Sequence, residues 1–235
     1  MTAGRGKRRF LILLCLFGLL LFAALGAWQV ERRAWKLDLI ARVDARVHAA
    51  PVAVPPRAEW ARINAPDDEY RRVRLAGRFL DDRETLVEAL TERGAGFWVL
   101  TPLQTDDGTI LVNRGFVPPE RKSPASRSSG RSPGPVEVVG LLRMTEPKGR
   151  FLRPNRPEEE RWYSRDVMAI AKARGLSDVA PFFIDADAKP NPGGYPIGGM
   201  TMVAFRNMHL VYALTWFGLA GLCLAGLVLL FRREP

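Results

Sequence analysis

Two long runs without a charge, one near each end, constrain this chain more than any other feature. From Phe10 to Val30 the run FLILLCLFGLLLFAALGAWQV holds 21 uncharged residues, and from Leu210 to Phe231 the run LVYALTWFGLAGLCLAGLVLLF holds 22. As helices they would rise roughly 31 and 33 Å, which matches a hydrocarbon thickness of about 30 Å. Neither keeps the polar face of a helix lying on a soluble core. Both therefore read as transmembrane helices, over 10–30 and 210–231. The small residues Ala23 to Ala27 leave a cleaved signal peptide open for the first run, although its apolar stretch is longer than a signal core.

The flanks set the orientation. Arg5, Lys7, Arg8 and Arg9 precede the first run, and Arg232 and Arg233 follow the second. This is the positive-inside arrangement for two cytoplasmic tails, 1–9 and 232–235. Arg32, Arg33 and Lys36 oppose it, but long segments translocate largely regardless of charge. Residues 31–209 are thus expected outside the cytoplasm. With no Arg/Ser-rich presequence before Phe10, a bacterial inner membrane with a periplasmic central domain fits better than an organelle. The net charge is +10. Four of those charges sit in residues 1–10 and a net one in residues 232–235, leaving +5 between them. That suits a solvated basic face beside an anionic bilayer and gives no case for nucleic acid.

The first helix is expected to run on beyond the membrane. Ala34, Leu37, Ile40, Val43 and Val47 recur at threes and fours, and Pro51, Pro55 and Pro56 end the pattern. Strand periodicity follows. In Arg72–Phe79 the residues Val73, Leu75, Gly77 and Phe79 alternate with polar or small ones, and Glu84–Leu90 reads as a second strand. Gly96–Gln104 and Thr109–Val117 flank Thr105-Asp106-Asp107-Gly108, a hairpin turn by composition. Pro118–Pro135 reads as a mobile Pro/Ser/Arg/Gly-rich loop, and Val136–Met144 as a further strand. Ser164 can cap a short helix over Arg165–Arg174 that Gly175 closes. Phe182–Ile184 reads as a buried strand, Pro190–Gly199 as a structured turn region, and Met200–Arg206 as a last strand. The expected class is α+β, with two transmembrane helices flanking a mainly antiparallel β extracytoplasmic domain.

Chemistry-bearing motifs are few. There is no Gly-x-Ser-x-Gly elbow, phosphate-cradling Gly loop or His-Glu-x-x-His pair, and no enzyme activity is expected. Both cysteines, Cys15 and Cys223, fall in the apolar runs, so the central domain has no disulfide or Cys-x-x-Cys site. His48, at the end of the first helix, reads as a surface residue. His209 begins the second span, with Tyr212, Ala213, Trp216 and Phe217 at offsets of three, four, seven and eight. One helix face thus carries an imidazole beside aromatics. That suits axial ligation of a haem, and equally an interfacial belt in which His209 packs or hydrogen-bonds. Met200, Met202 and Met208 with His209 would suit Cu(I), although alternating methionines also line cores.

At this point a resemblance enters. The segment 207–220, NMHLVYALTWFGLA, resembles the second-span signature of the surfeit locus protein 1 family, whose members are assembly factors for haem–copper cytochrome c oxidase. Gly26-Ala27-Trp28-Gln29 with Arg32, Trp35 and Lys36 is similar to the family's first-span exit. Residues 97–103 (FWVLTPL) and 111–118 (LVNRGFVP) resemble its central hairpin, 161–166 (RWYSRD) its later motif, and Gly193-Gly194-Tyr195-Pro196 with Gly198-Gly199 its final turn. These motifs occur in order across residues 10–231. Phe116 stands where the family commonly has Trp, and the loop 118–135 is distinctive. The resemblance implies a role in maturing oxidase subunit I by holding or handing over haem A, possession of which also points toward haem A synthase as a partner. It implies a haem contact at the second-span histidine, here His209, which would also be the metal ligand. Tyr212 and Trp216 could bound the ring, and Arg206 could meet a propionate or serve as an interfacial anchor. A cofactor-free scaffold, or copper delivery through the Met/His cluster, is the alternative.

Overall fold

The structure is a computed structural model that describes residues 2–130, 134–150, 152–201, 203, 205 and 207–232, with side chains from residue 6 onward. Among the described residues, four α-helices (α1 Thr2–His48, α2 Ala65–Asp68, α3 Val167–Ala173, α4 His209–Arg232) accompany seven strands: β1 Val52–Ala53, β2 Arg72–Phe79, β3 Thr85–Thr91, β4 Gly94–Thr105, β5 Gly108–Val117, β6 Val136–Met144 and β7 Val179–Ala186. The chain divides into a helical unit, Met1–Val43 with Val203–Pro235, and a domain, Asp44–Met202.

Both long helices are long and apolar enough to cross a membrane, and only 6% and 11% of their most apolar stretches are buried in the protein. Leu13, Phe17 and Leu20 on α1, and Leu214 and Leu222 on α4, are exposed. So much outward apolar surface is stable against lipid and costly in water. As the stripe through Val47 predicts, α1 continues without a break to His48. It stops ahead of Pro51, which disfavours helical geometry in the residue before it.

In the domain the strands form one mixed sheet in the order β1-β2-β6-β7-β5-β4-β3, with a further pairing of β2 to β4. That pairing, Arg78 opposite Gln104 and Phe79 opposite Leu103, closes β2, β6, β7, β5 and β4 into a circuit. Most pairs are antiparallel, but β5–β7 and β1–β2 are parallel. A closed five-stranded Greek-key circuit of this kind is the architecture of an OB-type barrel. The hairpin expected at Thr105–Gly108 joins β4 to β5.

Alternation selects the barrel interior. Val73 and Leu75 of β2, Ile110 and Val112 of β5, Leu142 of β6, and Ala180, Phe182 and Ile184 of β7 pack there with Leu103 and Trp60. A second core lies on the other face, where Val167 and Ile170 of α3 meet Leu100, Leu111, Phe183, Val87 and Trp162. Strand β5 is therefore buried along its whole length, as a strand covered on both faces must be.

Three expectations need correction. The N-cap of α3 is Asp166, whose carboxylate accepts from Ala169 N at 3.1 Å. Ser164 instead donates to Glu146 O at 2.7 Å and accepts from Gly149 N and Asn155 Nδ2, tying two loops together. Second, Met200, Thr201, Val203 and Phe205 belong to no strand, while Met202, Ala204 and Arg206 lie outside the described residues. Third, the loop after Pro118 is tied down over its described part. It forms 3-10 turns at Pro119–Arg121 and Pro124–Gly130. Arg127 makes a two-pronged ion pair with Glu84, and Arg114 donates to Gly130 O.

Candidate functional site

In the helical unit α1 and α4 run antiparallel, and their contacts recur along one face of α1 at spacings of four, four and three. Gly18 lies beside Cys223, Phe22 stacks on Trp216 with ring centroids 5.7 Å apart, and Gly26 faces Phe217. A Cβ at Gly26 would come within 2.6 Å of the Phe217 ring. The glycine is what lets the two backbones approach, as small residues do between membrane helices. One turn further out, Gln29 meets His209, with His209 Nδ1 2.7 Å from Gln29 Oε1. Gln29 is only 9% exposed.

The site residues expected from the sequence are thus placed unequally. His209 and Trp216 turn toward α1, the first to a hydrogen bond and the second to an aromatic stack. Tyr212, on the same side of the sequence pattern, is 52% exposed. Arg206 lies outside the described residues. Of the methionines weighed for copper, Met200 belongs to the domain and Met208 to the helical unit, and Met202 is not described. Outside the apolar run, the Arg32 guanidinium lies 4.1 Å over the Trp35 ring and Lys36 Nζ 4.8 Å over Phe205.

A haem places two demands on such a site, an available imidazole nitrogen and apolar surroundings. An amide oxygen only accepts hydrogen bonds, so the contact with Gln29 Oε1 is one in which His209 Nδ1 donates. Metal-binding histidines are commonly held in this way through the second ring nitrogen. The donor set fits the group through His209. Trp216 fits it less directly, because one face of its indole is covered by Phe22.

Gln29 is the residue that sequence reading missed. The available signal was an amide at the end of an otherwise apolar run, where a polar side chain must find a partner.

The domain carries its own polar centre. Asp185, 3% exposed, accepts from Asn113 Nδ2 (2.7 Å), Arg143 Nη1 (2.9 Å), Arg165 Nη1 (3.1 Å) and Thr201 Oγ1 (2.9 Å). Arg165 also pairs with Glu146. Burial works against the charge of Glu146, but the hydrogen bonds and charge of Arg165 prevail and hold its carboxyl below the usual range. A cavity of about 470 Å³ opens beside this hub, lined by Trp98, Arg143, Arg165 and Thr201 among others. Arg143 and Arg165 already face carboxylates, so their charge serves the fold.

The motif Asn113-Arg114-Gly115-Phe116 knits the barrel to the last turn. Asn113 Oδ1 accepts from Gly115 N, and Phe116 and Ile197 exchange backbone hydrogen bonds at 2.9 Å. Gly115 adopts φ +127°, and a Cβ there would collide with Ile197 O. The special backbone angle expected of it is real. Arg114 is 4% exposed, reaches Asp81 at 3.0 Å and lies 4.5 Å over Phe79. Burial draws its guanidinium below the ordinary value, against the pull of Asp81 and Glu84.

Two antiparallel apolar helices bracketing one barrel domain in the sequence define a class, the membrane-anchored proteins that present a single folded domain. Within it, this chain belongs to the SURF1 family, whose model matches residues 16–221. It is 40% identical over 226 residues to surfeit locus protein 1 of Rattus norvegicus, a match covering 89% of this chain and 71% of the relative. The human protein of the same name is 40% identical over 214 residues, covering 83% and 69%. A SURF1-like protein of Monosiga brevicollis is 38% identical over 224 residues, covering 89% and 83%.

Proposed function

We propose that this chain is an assembly factor for haem–copper cytochrome c oxidase that assists haem A insertion into subunit I. Membership of the family whose motifs run in order through the sequence supports the assembly role. The single structural observation that supports the haem step is His209 at the head of α4, held through Nδ1 by Gln29, an arrangement in which Nε2 would be the nitrogen offered to a metal. Bound haem would supply an iron that accepts a nitrogen ligand. His209 would hold it, with Tyr212 and Trp216 as the neighbouring aromatic surface. The protein acts on this reading as a holder with no catalytic group, and its partners are subunit I, the bilayer and a haem A source such as haem A synthase.

Deleting the gene is expected to lower active haem-A oxidase while haem A synthesis continues. The residual oxidase should contain subunit I underfilled with haem. Unchanged oxidase activity and haem occupancy, under growth that requires that oxidase, would sink the proposal.

The orientation belongs to the same reading. Both tails lie in the cytoplasm of a bacterial inner membrane and the domain in the periplasm, following the basic flanks. A reporter fused after Pro235 should be cytoplasmic, and one inserted between Pro118 and Pro135 periplasmic. A cytoplasmic signal from the inserted reporter would reverse the assignment.

A further inference from the structure

Resting on the haem reading above, we infer that Gln29 is the positioning residue for His209: it holds the ring through Nδ1 and so selects Nε2 as the nitrogen presented to a metal. Three observations carry this. The Oε1–Nδ1 separation is 2.7 Å, well within hydrogen-bond range. Gln29 is nearly fully buried at the end of an apolar run, where an unpaired amide would be costly. Its position is set by the packing beneath it, since Gly18, Phe22, Gly26 and Gln29 lie on one face of α1, and the close approach at Gly26 brings that face up to α4.

A neutral imidazole carries one proton, and its location decides which nitrogen can coordinate. By accepting from Nδ1, Gln29 fixes both the tautomer and the rotation of the ring before any ligand arrives. A group that holds a ligating histidine in this way sharpens metal affinity and tunes the electron density of the ligand. A merely structural role, in which Gln29 only joins two helices, would leave haem affinity and ligand properties unmoved.

The test uses the full chain in detergent, with Gln29→Leu as a near-isosteric variant without the acceptor and Gln29→Glu as the variant that keeps it. Nitrogen-15 NMR of labelled histidine at alkaline pH, where imidazoles are neutral, reads the tautomer without any ligand. The parent should hold the proton on Nδ1, and Gln29→Leu should lose that preference. Ferric haem titrated into the same samples should bind Gln29→Leu about 10- to 100-fold more weakly than the parent. Gln29→Glu should restore binding and lower the reduction potential of the bound haem. The inference is overturned if Gln29→Leu keeps the parent's tautomer, or if its tautomer changes while haem affinity and electron-paramagnetic-resonance spectrum stay as in the parent. A parent that takes up no haem removes the haem reading itself, and the tautomer comparison then decides the role of Gln29 alone.

Discussion

Asp185→Leu is expected to destabilise the barrel domain by about 3–5 kcal/mol, the largest stability effect of any single change in it. The carboxylate is buried and accepts from four donors on β5, β6, the 145–178 connection and the segment after β7. Its removal leaves Arg143 and Arg165, each largely enclosed, facing each other with less counter-charge. Breaking one partner of a buried ion pair costs about 3–5 kcal/mol, against a total domain stability of about 5–15 kcal/mol. Asp185→Asn keeps the shape and one acceptor oxygen, and should fall between parent and Leu. Denaturant titration of the detergent-solubilised chain, followed by near-ultraviolet circular dichroism of Trp60, Trp98 and Trp162, measures the difference. A midpoint for Asp185→Leu equal to the parent's would show that the hub contributes nothing to the fold.

Local patterns were legible in the sequence, and long-range pairings were not. The two spans follow from charge-free length alone, strand β2 from alternation and the hairpin β4–β5 from its turn residues. The parallel pair β5–β7 was hidden, because β5 is buried on both faces and reads as a continuous apolar run whose partners cannot be told from periodicity. Closure of the barrel rests on two residue pairs between β2 and β4, far too few to leave a pattern. Arg143, Arg165 and Asp185 each look like solvated charges when read singly, and only the fold gathers them.

The Met200–Arg206 misreading has the opposite cause. Its alternating methionines satisfy the strand template, yet no strand edge pairs with the described residues of that segment. At the candidate site, helical spacing was enough to put His209, Tyr212 and Trp216 on neighbouring positions. It could not show which of them faces α1, because that depends on the register between two helices separated by 160 residues.

His209→Ala is expected to have the largest functional effect. The substitution removes the only imidazole in the helical unit and leaves the stack of Phe22 on Trp216 and the close approach of Gly26 to Phe217 in place. Membrane insertion and the helix pair should therefore survive. The hydrogen bond lost to Gln29 is of the kind worth about 0.6–2 kcal/mol between membrane helices, which is too little to separate them. His209→Met supplies another axial ligand and should retain haem at an altered potential. Tyr212→Phe should matter least, since an exposed ring with its hydroxyl removed still offers an aromatic wall.

The most direct measurement is the absorption spectrum of the full chain purified from cells that make haem A, beside that of His209→Ala prepared in the same way. The account predicts a Soret band on the parent and its loss or displacement in the alanine variant, with equal amounts of protein in the membrane. An alanine variant that carries as much haem as the parent, with the same spectrum, would contradict the ligand role and return His209 to a packing residue between two helices.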